Sequence, residues 1–149
     1  MMQLNFPTYN FKIKNKENRH YIFDIVRKKF FVLTPEEWVR QHLIHFLIEN
    51  CRCPIGLIAV EKKLTIHGLT KRFDVVVFNL DGTPLLLAEC KAPQIPINEN
   101  VFIQAGMYNK VLQVKNVVVT NGIELLYCKY TTDFSTYKLE KSIPPFPFQ

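Results

Sequence analysis

Asp74 is separated by fourteen residues from Glu89-Cys90-Lys91. The intervening chain is two apolar segments around Asp81-Gly82, a strong signal for a tight two-residue β-hairpin turn. Counting outward from that turn, with Leu80 opposite Thr83, sets Asp74 opposite Glu89. Directly opposed residues hold their Cβ atoms about 4.5–5.5 Å apart on one sheet face. Two carboxylates would then converge among Val76, Phe78, Leu85 and Leu87, with Lys91 projecting on the same face two residues on. Paired acids in apolar surroundings repel each other and lose hydration, so folding alone gives little reason to place them there. A hard divalent cation, Mg²⁺ with Mn²⁺ as a substitute, removes the objection. It takes oxygen ligands, keeps several waters and accepts a phosphate oxygen, and a lysine beside it can position or deprotonate an attacking water. That is the constellation metal-assisted phosphodiester hydrolysis requires. The plainer alternative is a Lys91 salt bridge to both acids. The same register sets Arg72 opposite Lys91 unless the strands splay, and Pro84 is placed where it could displace the turn.

The elements that must hold these residues can be read from periodicity. Strands are expected over 57–66, 72–80 and 85–91, the last two apolar on both faces and therefore central and covered above and below. This predicts an α/β domain, three-layer α/β/α, around a central mixed sheet. Thr34 is placed to N-cap a helix, with Pro35 at N1 and Glu37 at N3 to complete a capping box. Val39, Leu43, Phe46, Leu47 and Asn50 continue that helix at three- and four-residue steps until before Pro54. A second helix is expected over 98–113, with Val101, Gln104, Ala105, Tyr108 and Leu112 on one face. Strands over 117–120 and 123–130 follow, split by Asn121-Gly122. Residues 1–33 read as an N-terminal extension with short strands, 34–140 as the main domain, and 141–149 as a proline-rich extended tail.

At 149 residues, 48% hydrophobic and 21% charged, the chain is expected to be one globular domain with a core. No apolar run approaches the roughly 20 residues of a membrane span and no signal peptide is recognisable, so the expected location is the cytoplasm. Nineteen Lys and Arg against thirteen Asp and Glu leave a net charge of +6, which favours acidic partners such as nucleic acid. Lys62, Lys63, Lys71 and Arg72, with Lys12, Lys14, Lys16, Lys28 and Lys29 upstream, are candidates to border a duplex. Cys51, Cys53, Cys90 and Cys128 have no zinc-ligand spacing and read as reduced thiols. His42 and His45 are expected at the surface, Trp38 in packing, and Glu61 in a surface ion pair with a lysine.

Asp74 and Glu89-Cys90-Lys91 resemble the signature of the PD-(D/E)xK nuclease superfamily. The surrounding segments narrow the likeness. They are Leu33-Thr-Pro-Glu-Glu-Trp-Val-Arg-Gln41, Lys71-Arg-Phe-Asp-Val-Val-Val77, Ala88-Glu-Cys-Lys-Ala-Pro93, Gln104 with Tyr108-Asn109, and Thr120-Asn-Gly122. Together they resemble the N-terminal nuclease domain of the type I restriction enzyme R subunit, in a stand-alone form. The likeness runs from about Phe23 to Tyr130 and implies a restriction-endonuclease-like fold and a Mg²⁺-dependent DNA endonuclease. It also implies Asp74 and Glu89 as metal ligands and Lys91 as the catalytic lysine. A further active-site glutamate from the first helix is Glu36 or Glu37; Glu36 is preferred because Glu37 is expected to cap Thr34. Gln104 and Tyr108 match a glutamine–tyrosine helix motif that supports the site or the DNA backbone, with a simple helix face as the alternative. No GxxxxGK[ST] phosphate loop is present, so the ATP-driven motor of the full R subunit is not expected. Restriction would then involve other restriction-modification or defence proteins. A catalytically silent nuclease-like DNA-binding or interaction module is the competing reading.

Overall fold

A computed structural model describes the backbone of all 149 residues and the side chains of all but Phe102 and Ala105. A three-stranded antiparallel sheet comes first, from β1 (Ile13–Lys16), β2 (Arg19–Asp24) and β3 (Lys29–Val32). Helix α1 (Pro35–His45) continues as one π-helical turn over Phe46–Asn50. Then follow β4 (Ile58–Ile66), β5 (Leu69–Phe78), β6 (Pro84–Cys90), α2 (Glu99–Leu112), β7 (Asn116–Thr120), β8 (Leu125–Tyr130) and β9 (Tyr137–Glu140). The six later strands form one sheet in sequence order, antiparallel except for the β6–β7 pair. The crossover between those parallel strands is α2, as a parallel connection requires. The molecule is thus an α/β fold with a mixed sheet.

Each element starts where its sequence allows. Thr34 Oγ1 accepts the Glu37 amide at 3.0 Å and Pro35 opens α1, while Asn98 Oδ1 accepts the Val101 amide to open α2. Two apolar clusters share the sheet. One joins Val39, Leu43 and Leu47 to Val75, Val77, Leu86, Ala88 and Val118. The other joins Leu112 and Tyr108 of α2 to Leu64, Phe73, Val76 and Leu87. Adjacent strand residues point to opposite faces, so these clusters lie on opposite sides of the sheet, one with each helix.

The central hairpin departs from the expected turn. Its ladder pairs Val75 with Ala88, Val76 with Leu87 and Val77 with Leu86, which is the expected register, but then Phe78 with Pro84. Leu80 does not pair with Thr83: residues 79–83 form the loop, closed by Gly82 N–H to Asn79 O at 3.0 Å and Asn79 N–H to Thr83 O at 2.8 Å. Only Gly82 of the Asp81-Gly82 pair has positive φ, whereas the expected turn needs it at both. Leu85 is the extra residue on β6, and this bulge restores the register that the longer loop would have shifted.

A second irregularity lies one strand over. The β4–β5 ladder skips Glu61 and Asp74 between Val60–Val75 and Lys62–Phe73, and Glu61 takes φ +57°. Val75 packs on the α1 side and Val76 on the α2 side, yet Phe73 also packs on the α2 side, so the alternation breaks at Asp74. Asp74 is therefore not directly opposed to Glu89. The β5–β6 ladder ends at Val75–Ala88, the Asp74 carboxylate accepts the Cys90 amide at 2.8 Å, and the strands splay, so Arg72 never meets Lys91 across a ladder.

Both termini pack against the domain. Leu4 is buried, and Asn5 N–H bonds Gly122 O at 2.7 Å. His42 and His45 are buried, contrary to expectation, because Phe11 stacks 4.7 Å from both rings and Tyr9 lies beside them. Trp38 packs in this cluster as expected and donates from Nε1 to Met2 O at 2.7 Å. The proline-rich end is not a free tail: Ile143 and Phe148 are buried in the α1-side core, and Phe146 N–H bonds Cys51 O. All four cysteines are free and buried. No helix of the described residues is long and apolar enough to cross a membrane.

Candidate functional site

At the splayed end of β5 and β6 the charged residues divide into two groups. On the α1 side Arg40 is the hub. Its Nη2 lies 2.7 Å from Asp74 Oδ1, 2.9 Å from Glu61 Oε1 and 3.4 Å from Glu36 Oε1, and its Nη1 lies 2.9 Å from Glu37 Oε1. Glu37 also accepts from Arg27 at 3.0 Å, and Arg27 pairs with the buried Asp24 at 2.8 Å. Gln41 bridges Asp24 and Glu37. The result is a continuous chain of alternating charge, Asp24–Arg27–Glu37–Arg40–Asp74, from the small sheet through the helix to the large one. Burial works against the charge on Arg40, but Glu37 and Asp74 outweigh it and hold its pKa above the ordinary arginine value. Desolvation likewise opposes ionisation of Asp24, and the hydrogen bonds from Arg27 and Gln41 overcome it, leaving the pKa lowered.

The α2 side is open. Lys71, Glu89, Lys91, Gln104 and Tyr108 line a cleft of about 110 Å³ whose floor includes Phe73 and Leu87. Lys71 Nζ lies 3.3 Å from Glu89 Oε1 and 5.0 Å from the centre of the Tyr108 ring. Lys91, held by its amide to Thr120 O at 2.9 Å, forms no ion pair among the described residues. The expected alternative, a Lys91 bridge to both acids, is replaced by Arg40 on Asp74 and Lys71 on Glu89. Burial, then the charge of Asp74, push the Glu89 carboxyl up to about 7 even though Lys71 and Lys91 pull it down.

The first helix separates its two glutamates. Glu37 is buried and held by Arg27, Arg40 and Gln41. It does not cap Thr34, whose amide bonds Val32 O instead, so only half of the capping box forms. Glu36 retains 46% side-chain exposure, and burial and Asp74 raise its pKa against Arg40 and Lys91. The field of the site therefore reaches Glu36. Glu61 pairs with Arg40 and, at 3.7 Å, with Arg72, rather than with a lysine at the surface. Gln104 is exposed at the rim of the cleft and Tyr108 half-buried within it, while Ala105 lies outside the described side chains. Sequence reasoning missed Arg40 and undervalued Glu61. The available signal for Arg40 was its spacing, four residues after Glu36 and three after Glu37, on the same helix face.

The donor set suits a hard cation. Asp74 and Glu89 offer carboxylate oxygens, and the Glu89 pKa is raised by burial first and by the nearby charge of Asp74 second. Among the described residues, however, no three His, Cys, Asp or Glu side chains are grouped closely enough to hold a metal by themselves. Two carboxylates, with water and a phosphate oxygen filling the remaining positions, are a usual Mg²⁺ arrangement.

No curated protein matches the chain. The family model for the type I restriction enzyme R protein N terminus matches residues 35–144, from the first residue of α1 through β9 and into the C-terminal segment. The chain belongs to the type I restriction enzyme R protein N-terminal family, which supports a nuclease-like role and a DNA-binding, restriction-modification setting.

Proposed function

We propose that the protein is a Mg²⁺-dependent DNA endonuclease. The observation that carries this reading is the cleft itself, which Glu89 and Lys91 line, Lys91 without an ion pair among the described residues and Glu89 under the charge of the nearby Asp74, in a chain of this family. Asp74 and Glu89 would hold Mg²⁺, or Mn²⁺ in its place, which when bound supplies charge stabilisation for a phosphodiester and a more acidic water. Lys91 orients that water or takes its proton, and its freedom from ion pairs leaves the amine available to do so. Lys71 pairs with Glu89 at 3.3 Å and, with a cation held at that carboxylate, would be available to phosphate charge. Glu36 adds a further acid on the α1 side, and Gln104 and Tyr108 hold the DNA backbone at the rim, with Lys71 and Arg72 as further phosphate contacts. The setting is the cytoplasm, with other restriction-modification or defence proteins as partners.

One observation favours the second reading, a module that binds DNA without cutting it. Both Asp74 oxygens already accept hydrogen bonds, from Arg40 and from the Cys90 amide. Incubation with supercoiled plasmid in Mg²⁺, Mn²⁺ or EDTA, beside Lys91→Ala, separates the two. Metal-dependent nicking that the variant loses is expected; uncut plasmid with DNA still bound would replace the nuclease reading by the second.

A further inference from the structure

Residues 1–33 hold seven Lys and Arg against two acids, so five of the six net positive charges lie in a segment outside the family match, which begins at residue 35. The small sheet sorts them by face. Cross-strand pairs Lys14–Tyr21–Val32, Phe23–Phe30 and Lys16–Arg19 alternate with Ile13–Ile22–Phe31 and Asp24–Lys29. Ile22 and Asp24 are buried, so the second set faces the domain and the first faces outward. The outer face carries the exposed Lys12, Lys14, Lys16 and Arg19 around the half-buried rings of Tyr21, Phe23 and Phe30. Lys14 Nζ sits 4.1 Å over the Phe30 ring and Lys12 Nζ 5.4 Å over Phe23, whose rings lie 5.2 Å apart. The two acids lie elsewhere, Glu17 in the β1–β2 turn and Asp24 on the inner face.

Lysines alone would need only solvent, and a sheet covering a core needs no aromatic rings on its outer side. Rings along a sheet can stack unpaired bases when the flexible lysines now over their faces turn to follow the phosphates. A duplex hides its base faces and cannot use the rings. We propose that the outer face of β1–β3 binds a single-stranded stretch of nucleic acid, with bases stacked on Tyr21, Phe23 and Phe30 and phosphates on Lys12, Lys14, Lys16 and Arg19. The Arg27–Glu37 pair fixes this platform to α1. The inference deepens the DNA-nuclease reading by naming single-stranded segments as substrate, and rests on that reading only for the link to cleavage.

The test is fluorescence anisotropy in EDTA, where no hydrolysis interferes, with labelled oligo(dT), an abasic strand of equal length and a duplex. Oligo(dT) is expected to bind about tenfold or more tighter than the abasic strand. Phe30→Leu should erase that preference with the melting temperature kept. Lys14→Ala with Lys16→Ala should lower the slope of log affinity against log salt by about 1.4 for the same strand. Equal binding of dT and abasic strands, a preference for duplex, or stronger capture of polyglutamate would overturn the inference. Plasmid cleavage together with equal dT and abasic binding would sink it alone, whereas a dT preference without metal-dependent cleavage would sink only the nuclease reading.

Discussion

The two sides of the candidate site are built on opposite rules. Toward α1, Asp24, Arg27, Glu37, Arg40 and Asp74 are each paired at hydrogen-bond distance, and Arg40 and Glu37 are almost withdrawn from water, although Arg40 Nε and Gln41 Oε1 are buried there without hydrogen-bond partners. Toward α2, Lys91 has no ion pair among the described residues, and Glu89 is buried enough to resist ionisation yet opens onto a cleft. A buried network of paired charges holds positions and offers little to a ligand, since each group moved must leave another unpaired. An undersatisfied one is where an incoming cation or phosphate gains most. The comparison assigns shape to the α1 side and chemistry to the α2 side, with Asp74 belonging to both.

The sharpest way to break it is Arg40→Ala. Removing the hub leaves Asp74 in low dielectric without its cationic partner and Glu37 with Arg27 as its remaining one, and is expected to cost about 3–5 kcal/mol, read by urea denaturation; a loss below about 1 kcal/mol would show the network to be ornamental. Lys91→Ala should do the reverse, lowering nicking by about 100-fold while changing stability by less than about 0.5 kcal/mol. A large stability loss there would make Lys91 a structural residue and erase the distinction between sides.

Glu89 gives a smaller, pH-dependent effect. Its folded-state pKa of about 7 stands above the ordinary 4.5, so the folded protein binds this proton more tightly than the unfolded chain. The associated stability is present below pH 4.5 and is lost as pH rises through about 7. Glu89→Gln should flatten that decline and raise stability at pH 8 by roughly 1–3 kcal/mol, and Mg²⁺ should raise the wild-type melting temperature more at pH 8 than at pH 5. The reverse pH order would remove the charge argument for a cation at this carboxylate. Smallest is Tyr108→Leu, which takes away the ring face beside Lys71 and should cost about 0.5–1 kcal/mol, with any larger effect confined to DNA binding.

Strands β4 to β8 and both helices were legible because apolar periodicity and caps are local signals, whereas the fully exposed β9 left too short an apolar pattern and was not expected. Thr34-Pro35 and Asn98 mark helix starts by hydrogen bonds that close within three residues. The closeness of Asp74 and Glu89 was legible through hairpin register, although the direct opposition of the two acids was not found. That error came from Asp74 itself, whose carboxylate takes the Cys90 amide where the ladder would have continued. Glu61 and Arg40 were hard to read for a related reason. Their roles depend on a left-handed residue in mid-strand and on partners from three separate elements, none of which leaves a local pattern. The buried His42 and His45 follow the same logic, since what covers them is the distant Tyr9-to-Phe11 segment.

The Leu85 bulge, finally, has a consequence for how the chain can be edited. Pairing of Val75–Val77 with Leu86–Ala88 is held in place by flanking strands β4 and β7, and the five-residue loop above it is reconciled by one spare residue. Loop length and site register are therefore separate variables. At the loop's tip Leu80 is 90% exposed, so a short peptide tag spliced between Leu80 and Asp81 should be carried without disturbing the site at the hairpin's other end. The same hairpin offers a handle at one end and a lock at the other.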